Sequence, residues 1–259
     1  MRETVAERPG RITFRAELRD FFAFIRRPRV SPRFPGRRPD DGFWQDWFPP
    51  IRILRLLQWA FLMWAVNLLF LGPLAVMAAG LGGATHRLDI QNIPWLTALL
   101  WAPLVEELVF RYGLRRLKHL WLLLPISVVA LMNGPGWLGG MAVATWLALC
   151  WLPYGSGSRL ARKPLSWRVR RAYLRRFPWA FHFTSLAFSA VHLYNFNLAQ
   201  TPLWLLPLLV LPQWVTGMVL GWLRVRHGIG AAILLHAVFN GGPLLIVWIV
   251  LRMAPDMAM

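Results

Sequence analysis

Val105-Glu106-Glu107-Leu108-Val109-Phe110-Arg111 is the stretch on which the fold turns. It lies inside an apolar run that begins near Ile93, where a lipid-embedded helix is expected. Beyond Arg55 the chain holds four acidic residues, Asp89, Glu106, Glu107 and Asp256, and two of them are adjacent here. Insertion scales put a central acidic side chain at about 2.5–3.5 kcal/mol, so the pair would cost about 5–7 kcal/mol facing lipid. The pair therefore faces a protein interior or a water-filled cavity. An ionisable residue at that depth is a functional-site hypothesis by default.

The rest of the chain agrees with a membrane setting. It has 259 residues, 57% hydrophobic and 15% charged, with 16 Trp, 16 Phe and a formal net charge of +18. A soluble domain of this length carries more charge and fewer long apolar runs. The expected fold is all-α, a polytopic transmembrane helical bundle of about seven spans. The single cysteine, Cys150, excludes an intramolecular disulfide and a Cys-rich metal cluster. Thirteen of the 29 basic residues lie in positions 1–55 and eight more between Arg159 and Arg176. Both clusters flank apolar segments, which fits the positive-inside rule and attraction to anionic lipid headgroups. Nucleic acid is not an expected partner.

Two regions follow from the pattern: residues 1–50, an Arg/Pro-rich cytoplasmic tail, and residues 51–259, the transmembrane domain. The tail shows no signal-peptide core. Phe14, Leu18, Phe21, Phe22 and Ile25 recur at helical spacing, which predicts an amphipathic helix lying on the inner membrane surface and stopped by Pro28. Arg29 to Pro50 reads as an irregular linker. Spans are expected at 54–81, 93–112, 120–132, 137–152, 178–192, 203–223 and 229–251, with a turn at Asn133-Gly134-Pro135-Gly136. Basic residues then alternate so that the amino terminus and the 159–176 loop are cytoplasmic and the carboxyl terminus external. The expected location is a bacterial inner membrane. No internal repeat is visible, so a repeat-built transporter gains no support.

Three i,i+4 pairs place polar groups on single helix faces: Glu107 with Arg111, Phe188 with His192, and His236 with Asn240. Taken singly, each has an ordinary structural explanation, as an ion pair or as interhelical glue. Together, a carboxylate, two imidazoles and an amide are ingredients of hydrolysis. Counting about 1.5 Å per residue from Arg115, Arg176 and Arg226 puts Glu106 roughly 14 Å deep, His236 roughly 15 Å and His192 roughly 24 Å. A tilted helix, or an interfacial Phe177-Pro178-Trp179 segment, would reconcile them. His86, His119 and His227 fall at span ends, and His182 has no i,i+4 polar partner. Neither His-Glu-x-x-His nor Gly-x-Ser-x-Gly occurs.

Glu-Glu-x-x-x-Arg (Glu106, Glu107, Arg111), Phe-x-x-x-His (Phe188, His192) and His-x-x-x-Asn (His236, Asn240), in this order, resemble the signatures of the CPBP family. These are the CAAX-protease and bacteriocin-processing membrane proteases, also called ABI proteins. The segment Gly217 to Asn240, with Gly217-x-x-x-Gly221 and Arg224, resembles that family's last motif-bearing region. The resemblance covers about Ile93 to Gly242. It departs in spacing, with roughly eighty residues between the first two motifs, including two apolar runs and the basic loop. It implies an intramembrane endopeptidase whose polar cavity opens toward the cytoplasm and whose substrates are prenylated CAAX-type proteins or membrane-associated peptides.

The chemistry expected of these residues has two forms. In one, Glu106 is general base with His192 orienting the same water, while His236 and Asn240 donate to the oxyanion. Glu107 holds Arg111, and Phe188 supports the site. In the other, Glu106, His192 and His236 bind zinc with water as fourth ligand. The cofactor is thus none or zinc, the metal-free form being implied by the family and the metalloprotease form by its older naming. The alternatives are a non-catalytic scaffold or immunity-type protein of the same fold and a transporter.

Overall fold

The expected amphipathic helix forms as α1 (Phe14–Arg26), and the Thr13 side chain accepts from the Ala16 N–H at its start. The computed structural model describes residues 12–30, 43–89, 91–155, 165–198 and 201–253. Within it, the apolar face of α1 packs on protein. Phe21 packs edge-on to Trp59 and Trp222, and Phe24 to Phe177 and Phe181. Carboxylates tie the same face down: Glu17 accepts from Trp59 Nε1 at 3.0 Å, and Asp20 accepts from Trp222 Nε1 at 2.8 Å and from Arg226.

The linker expected to be irregular contains a second helix, α2 (Phe43–Trp47). Its Asp46 is fully buried against Arg224 Nη1 at 2.6 Å. Hence the 1–50 segment supplies two helices to the core of the bundle formed by 51–259. Residues 1–11 and 31–42 of that tail lie outside the described residues.

Helix α3 (Ile53–Gly82) is 30 residues long, and its apolar 18-residue stretch has a mean hydropathy of 2.0. At about 45 Å it exceeds the hydrocarbon thickness of about 30 Å and is long enough to cross with tilt. Phe61, Leu68, Phe70 and Val76 point outward and are exposed, as a lipid-facing belt requires. A π-helical turn at Asn67–Leu71 stands just before Gly72-Pro73. Proline lacks an N–H and its ring crowds the carbonyl four residues back, so the helix widens there. The same rule operates before Pro103: a π turn at Thr97–Trp101 leads into α4 (Ala102–Phe110).

After α4, a buried 3₁₀ turn (Tyr112–Leu114) leads to α5 (Leu117–Asn133) and α6 (Trp137–Gly155), joined where Gly134 takes a positive φ of 60°. These two helices form a hairpin on the outer side of α4. Leu123, Trp146 and Cys150 pack on Leu108 and Tyr112, and Ala130, Ala142 and Val143 pack on Val105. The long insertion between the first two motifs is therefore a flanking hairpin, and α4 keeps its other face for the remaining motif helices.

Helix α7 (Trp167–Val191) runs unbroken through Pro178, so the expected interfacial break at 177–179 does not occur. A two-residue antiparallel ladder follows, β1 (Thr85–His86) against β2 (Phe196–Asn197). The run expected as one span at 203–223 is broken instead. A 3₁₀ turn and α8 (Leu206–Leu209) meet α9 (Leu211–Arg226) at a bend of 47°. Pro207 and Pro212, each in the first turn of its helix, restart the chain on either side of the bend. Helix α10 (Ile229–Met253) closes the bundle.

The molecule is thus an all-α membrane-type bundle. By length and composition, two described helices, α3 and α10, are long and apolar enough to cross a membrane, and a third if the bent α8–α9 pair counts as one. The other expected spans are shorter apolar helices or, in α7, a helix whose first turns are basic. One end of the bundle gathers α1, α2, the starts of α3, α7 and α10, and the end of α9. The other end carries the β1–β2 ladder, where the Thr201 hydroxyl donates to the Gly82 carbonyl at 2.9 Å.

Candidate active site

Helix α4 brings Glu106 and Glu107 to the centre of the bundle because it stops at Phe110 and turns away. Phe110 packs edge-on to Phe188 of α7, ring centroids 5.6 Å apart. The two helices run in opposite senses, so one turn beyond this aromatic pair Glu106 comes level with His192. That register removes the depth mismatch of the sequence count. The count took Arg115 as a straight continuation of α4, whereas Tyr112–Leu114 is a separate buried turn. Close approach of α7 to α9 depends on Gly217 and Gly221. A Cβ on Gly217 would stand 3.1 Å from Phe188 Cδ1, and one on Gly221 would stand 2.8 Å from Phe181 Cε2.

Three of the four residues expected to react are brought together. Glu106 Oε2 lies 4.0 Å from His192 Nε2 and 3.8 Å from His236 Nε2, and it is buried with no hydrogen-bond partner. Both imidazoles are oriented from behind. His192 Nδ1 is 2.8 Å from the Phe188 carbonyl, an acceptor only, so Nδ1 carries the proton and Nε2 faces Glu106. His236 Nδ1 is 3.0 Å from Glu107 Oε1, which also accepts from Arg111 Nη1 at 2.5 Å. Glu107 thus serves Arg111 and His236 together, and both side chains of the ion pair are buried. The Arg111 guanidinium sits 3.8 Å over the Phe188 ring, which itself packs on both histidines.

Asn240 lies one turn beyond His236 and lines the same cavity, but its amide also has a structural task. In the π turn before α4, the Ala98 carbonyl would accept from residue 103, and proline has no N–H to give. Asn240 Nδ2 donates to that carbonyl at 3.1 Å, tying α10 to the approach of α4. One amide N–H of Asn240 remains for a ligand.

The cavity holds about 680 Å³ and is walled by Glu106, His192, His236 and Asn240. Its lining continues to His86, Arg87 and Tyr194, which are exposed at the ladder end. This is the end opposite α1 and α2. His86, expected to be merely interfacial, lies on its rim.

The zinc form expected from Glu106, His192 and His236 does not fit the geometry. Among the described residues no group of three or more His, Cys, Asp or Glu side chains is disposed to hold a metal ion. The two donor separations, 4.0 and 3.8 Å, exceed the roughly 3.4 Å edge of a tetrahedral site with ligand distances near 2.1 Å.

Two polar residues went unnoticed in the sequence. Asn67 and Gln213 line the cavity, and each has a buried side-chain oxygen with no hydrogen-bond partner. The available signal was an amide inside an otherwise apolar run. A third, Asp46, reaches Arg224, whose other nitrogens donate to the Arg111 and Tyr112 carbonyls at 3.2 and 3.3 Å. Arg224 thereby caps the end of α4.

Comparison with protein families matches the model described as type II CAAX prenyl endopeptidase Rce1-like over residues 89–242. No curated protein and no solved structure matches the chain.

Proposed function

The chain belongs to the type II CAAX prenyl endopeptidase Rce1-like family, a family of membrane proteases, and on that premise we propose that it hydrolyses peptide bonds with a water activated by Glu106. One observation carries the reading: a buried, unpartnered Glu106 Oε2 faces two imidazole Nε2 atoms at 4.0 and 3.8 Å. Hydrogen bonds of about 2.8 Å from one water to the carboxylate and to either imidazole would meet at about 90°, an angle a water accommodates.

Glu106 takes a proton from that water as its oxygen attacks the peptide carbonyl carbon. The resulting oxyanion receives hydrogen bonds from a protonated imidazole and from the free amide N–H of Asn240. The protonated Glu106 carboxyl then returns its proton to the amine nitrogen as the C–N bond breaks. Glu107, held by Arg111, keeps the His236 ring turned so that Nε2 meets the reacting atoms. The family and the apolar helices support an integral membrane protein as the setting for this chemistry. No step requires a metal, in keeping with the donor spacing.

The test is cleavage of a fluorogenic peptide library by the purified protein in detergent, with and without chelator, beside Glu106→Gln. Cleavage that survives chelation and disappears in the variant supports the reading. Loss of activity to chelator alone restores the zinc form. No cleavage of any peptide by a folded protein leaves the scaffold reading in its place.

A further inference from the structure

The core that α2 enters is shared by the two helices whose register sets the site. Phe43 and Trp47 of α2 pack in one cluster with Leu108 of α4, with Tyr112 just beyond it, and with Ile229 at the start of α10. Ile229 stands about two helical turns before His236, and Leu108 directly follows the Glu106–Glu107 pair. On the α10 side the contact is backbone-close. A Cβ on Gly230 would stand 1.8 Å from the Trp47 carbonyl oxygen, so α2 rests on the first turn of α10. On the α4 side the contact is polar. The fully buried Asp46 carboxylate accepts from Arg224 Nη1 at 2.6 Å and from Arg116 Nε at 3.3 Å. Arg224 Nε and Nη2 donate in turn to the Arg111 and Tyr112 carbonyls, where α4 ends. Arg111 is also the residue whose guanidinium holds Glu107, and Glu107 Oε1 orients the His236 ring.

A fully buried ion pair adds little net stability over an apolar pair of the same shape, because desolvation offsets the attraction. What it does supply is direction: the planar fork of an arginine fixes the groups on both of its sides. We propose that Asp46 is a positioning residue for the site. Through Arg224 and the Arg111 carbonyl it fixes where α4 ends, while Trp47 seats the start of α10. Helix α2 thereby clamps the two helices in the register that leaves Glu106 Oε2 3.8 Å from His236 Nε2. Asp46 and Arg224 do not line the cavity, so they act on the reacting atoms through Arg111 and Glu107. Asp46 also lies outside residues 89–242, the part matched to the family, so the clamp is supplied by the amino-terminal segment. A displacement of about 1 Å remote from the chemistry costs about 10²-fold in rate, which is why such a clamp matters to turnover. The kinetic part of this inference rests on the protease reading above; the register rests on the contacts alone.

Kinetics and spin–spin distances test the clamp in the full chain. Asp46→Asn keeps the shape of the side chain and removes its charge. Its kcat per folded molecule should fall by about 10–10²-fold with KM within about twofold, since the cavity wall is untouched. Asp46→Glu, which keeps the charge, should recover part of the loss. Arg224→Lys retains a cation for Asp46 but gives up the fork on the two carbonyls. It should lower kcat likewise, and joined to Asp46→Asn it should add little, because the two residues act in series. Losses that multiply in the double variant overturn the proposal. So does a lowered thermal midpoint with unchanged kcat in the folded fraction, which leaves Asp46 a structural ion-pair partner only. Should Asp46→Asn not fold, Arg224→Lys decides, and unchanged kcat there overturns the proposal equally. In the second arm, nitroxides on Leu100→Cys and Leu234→Cys, both exposed positions, report the α4–α10 register by electron–electron double resonance. The one native cysteine, Cys150, is buried and sets a low background. Asp46→Asn should broaden or shift a distance that is narrow in the parent, and an unchanged distance overturns the clamp. If the purified parent cuts no peptide, the protease reading fails while the distances still decide the clamp.

Discussion

Glu106 and Glu107 are neighbours in sequence with opposite surroundings. Glu107 is fully buried between the Arg111 guanidinium and His236 Nδ1, whereas one oxygen of Glu106 faces the cavity with no partner. Replacing Glu107 with Gln leaves Arg111 as an uncompensated buried charge, for which about 3–5 kcal/mol of destabilisation is expected. Glu106→Gln removes no described hydrogen bond or structural ion pair, so its thermal midpoint should stay near that of the parent while turnover falls by about 10²–10⁴-fold, the usual contribution of a general base. Paired measurements of thermal midpoint and cleavage rate decide it, and the opposite pattern would reassign the base to Glu107. This division was legible from the i,i+4 spacing of Glu107 and Arg111. Asp46, Asn67 and Gln213 were not legible. Asp46 meets Arg224 from 178 positions away, and an amide inside an apolar run reads from sequence as glue between helices.

At the scale of elements, helix positions were readable from apolar period and length, and interruptions were readable only in part. The π turns before Pro73 and Pro103, and the bend between α8 and α9, come from proline chemistry in runs whose hydropathy is continuous. Helix contacts are set by single glycines. Gly221→Ala would bring a Cβ to 2.8 Å from the fully buried Phe181 ring, and a loss of about 1–3 kcal/mol is expected from forcing α7 and α9 apart. Gly80→Ala meets nothing within 4 Å and should be neutral or stabilising by about 0.4–1 kcal/mol. Thermal midpoints of the two variants in one detergent make the comparison; equal effects would remove the packing argument.

Helix α1 carries a pH dependence of its own. Burial against the bundle raises the Glu17 carboxyl above its ordinary range, with the Trp59 bond and Arg55 offsetting part of the effect. The groups facing it are Arg55, His227 and, on its own helix, Asp20. A carboxyl raised on docking contributes stability fully present below its ordinary range and lost as pH rises through the raised value. Docking of α1 should therefore weaken as pH climbs from the acid side of that range, and Glu17→Gln should flatten this slope. Protection of the Phe14–Arg26 segment from protease, followed against pH in both proteins, checks it. A slope that persists in the variant shows that Glu17 is not its source.

For the whole molecule, the sequence pattern led to an all-α membrane bundle, in which two or three of the expected spans are clear by length and composition. The shorter apolar runs α5 and α6 form a hairpin packed on α4. The site joins two parts of the chain: α4 contributes the carboxylates, and α7 and α10 contribute the imidazoles. The parts share extensive packing, since Trp59 and Met63 of α3 lie in one core with Phe177, Phe181, Leu220 and Trp222. Trp64 Nε1 also donates to the Phe239 carbonyl across 175 positions, at 2.9 Å. Helices in a membrane insert singly and then associate through such packing, so chain continuity between the parts is not needed for assembly. Co-expressed fragments 1–157 and 158–259 should therefore copurify and recover peptide cleavage. A Gly221→Leu substitution in the second fragment, by wedging α7 from α9, should abolish recovery while leaving insertion intact. Fragments that insert but neither associate nor cleave would show that the 157–158 junction, and not interhelical packing, holds the site together.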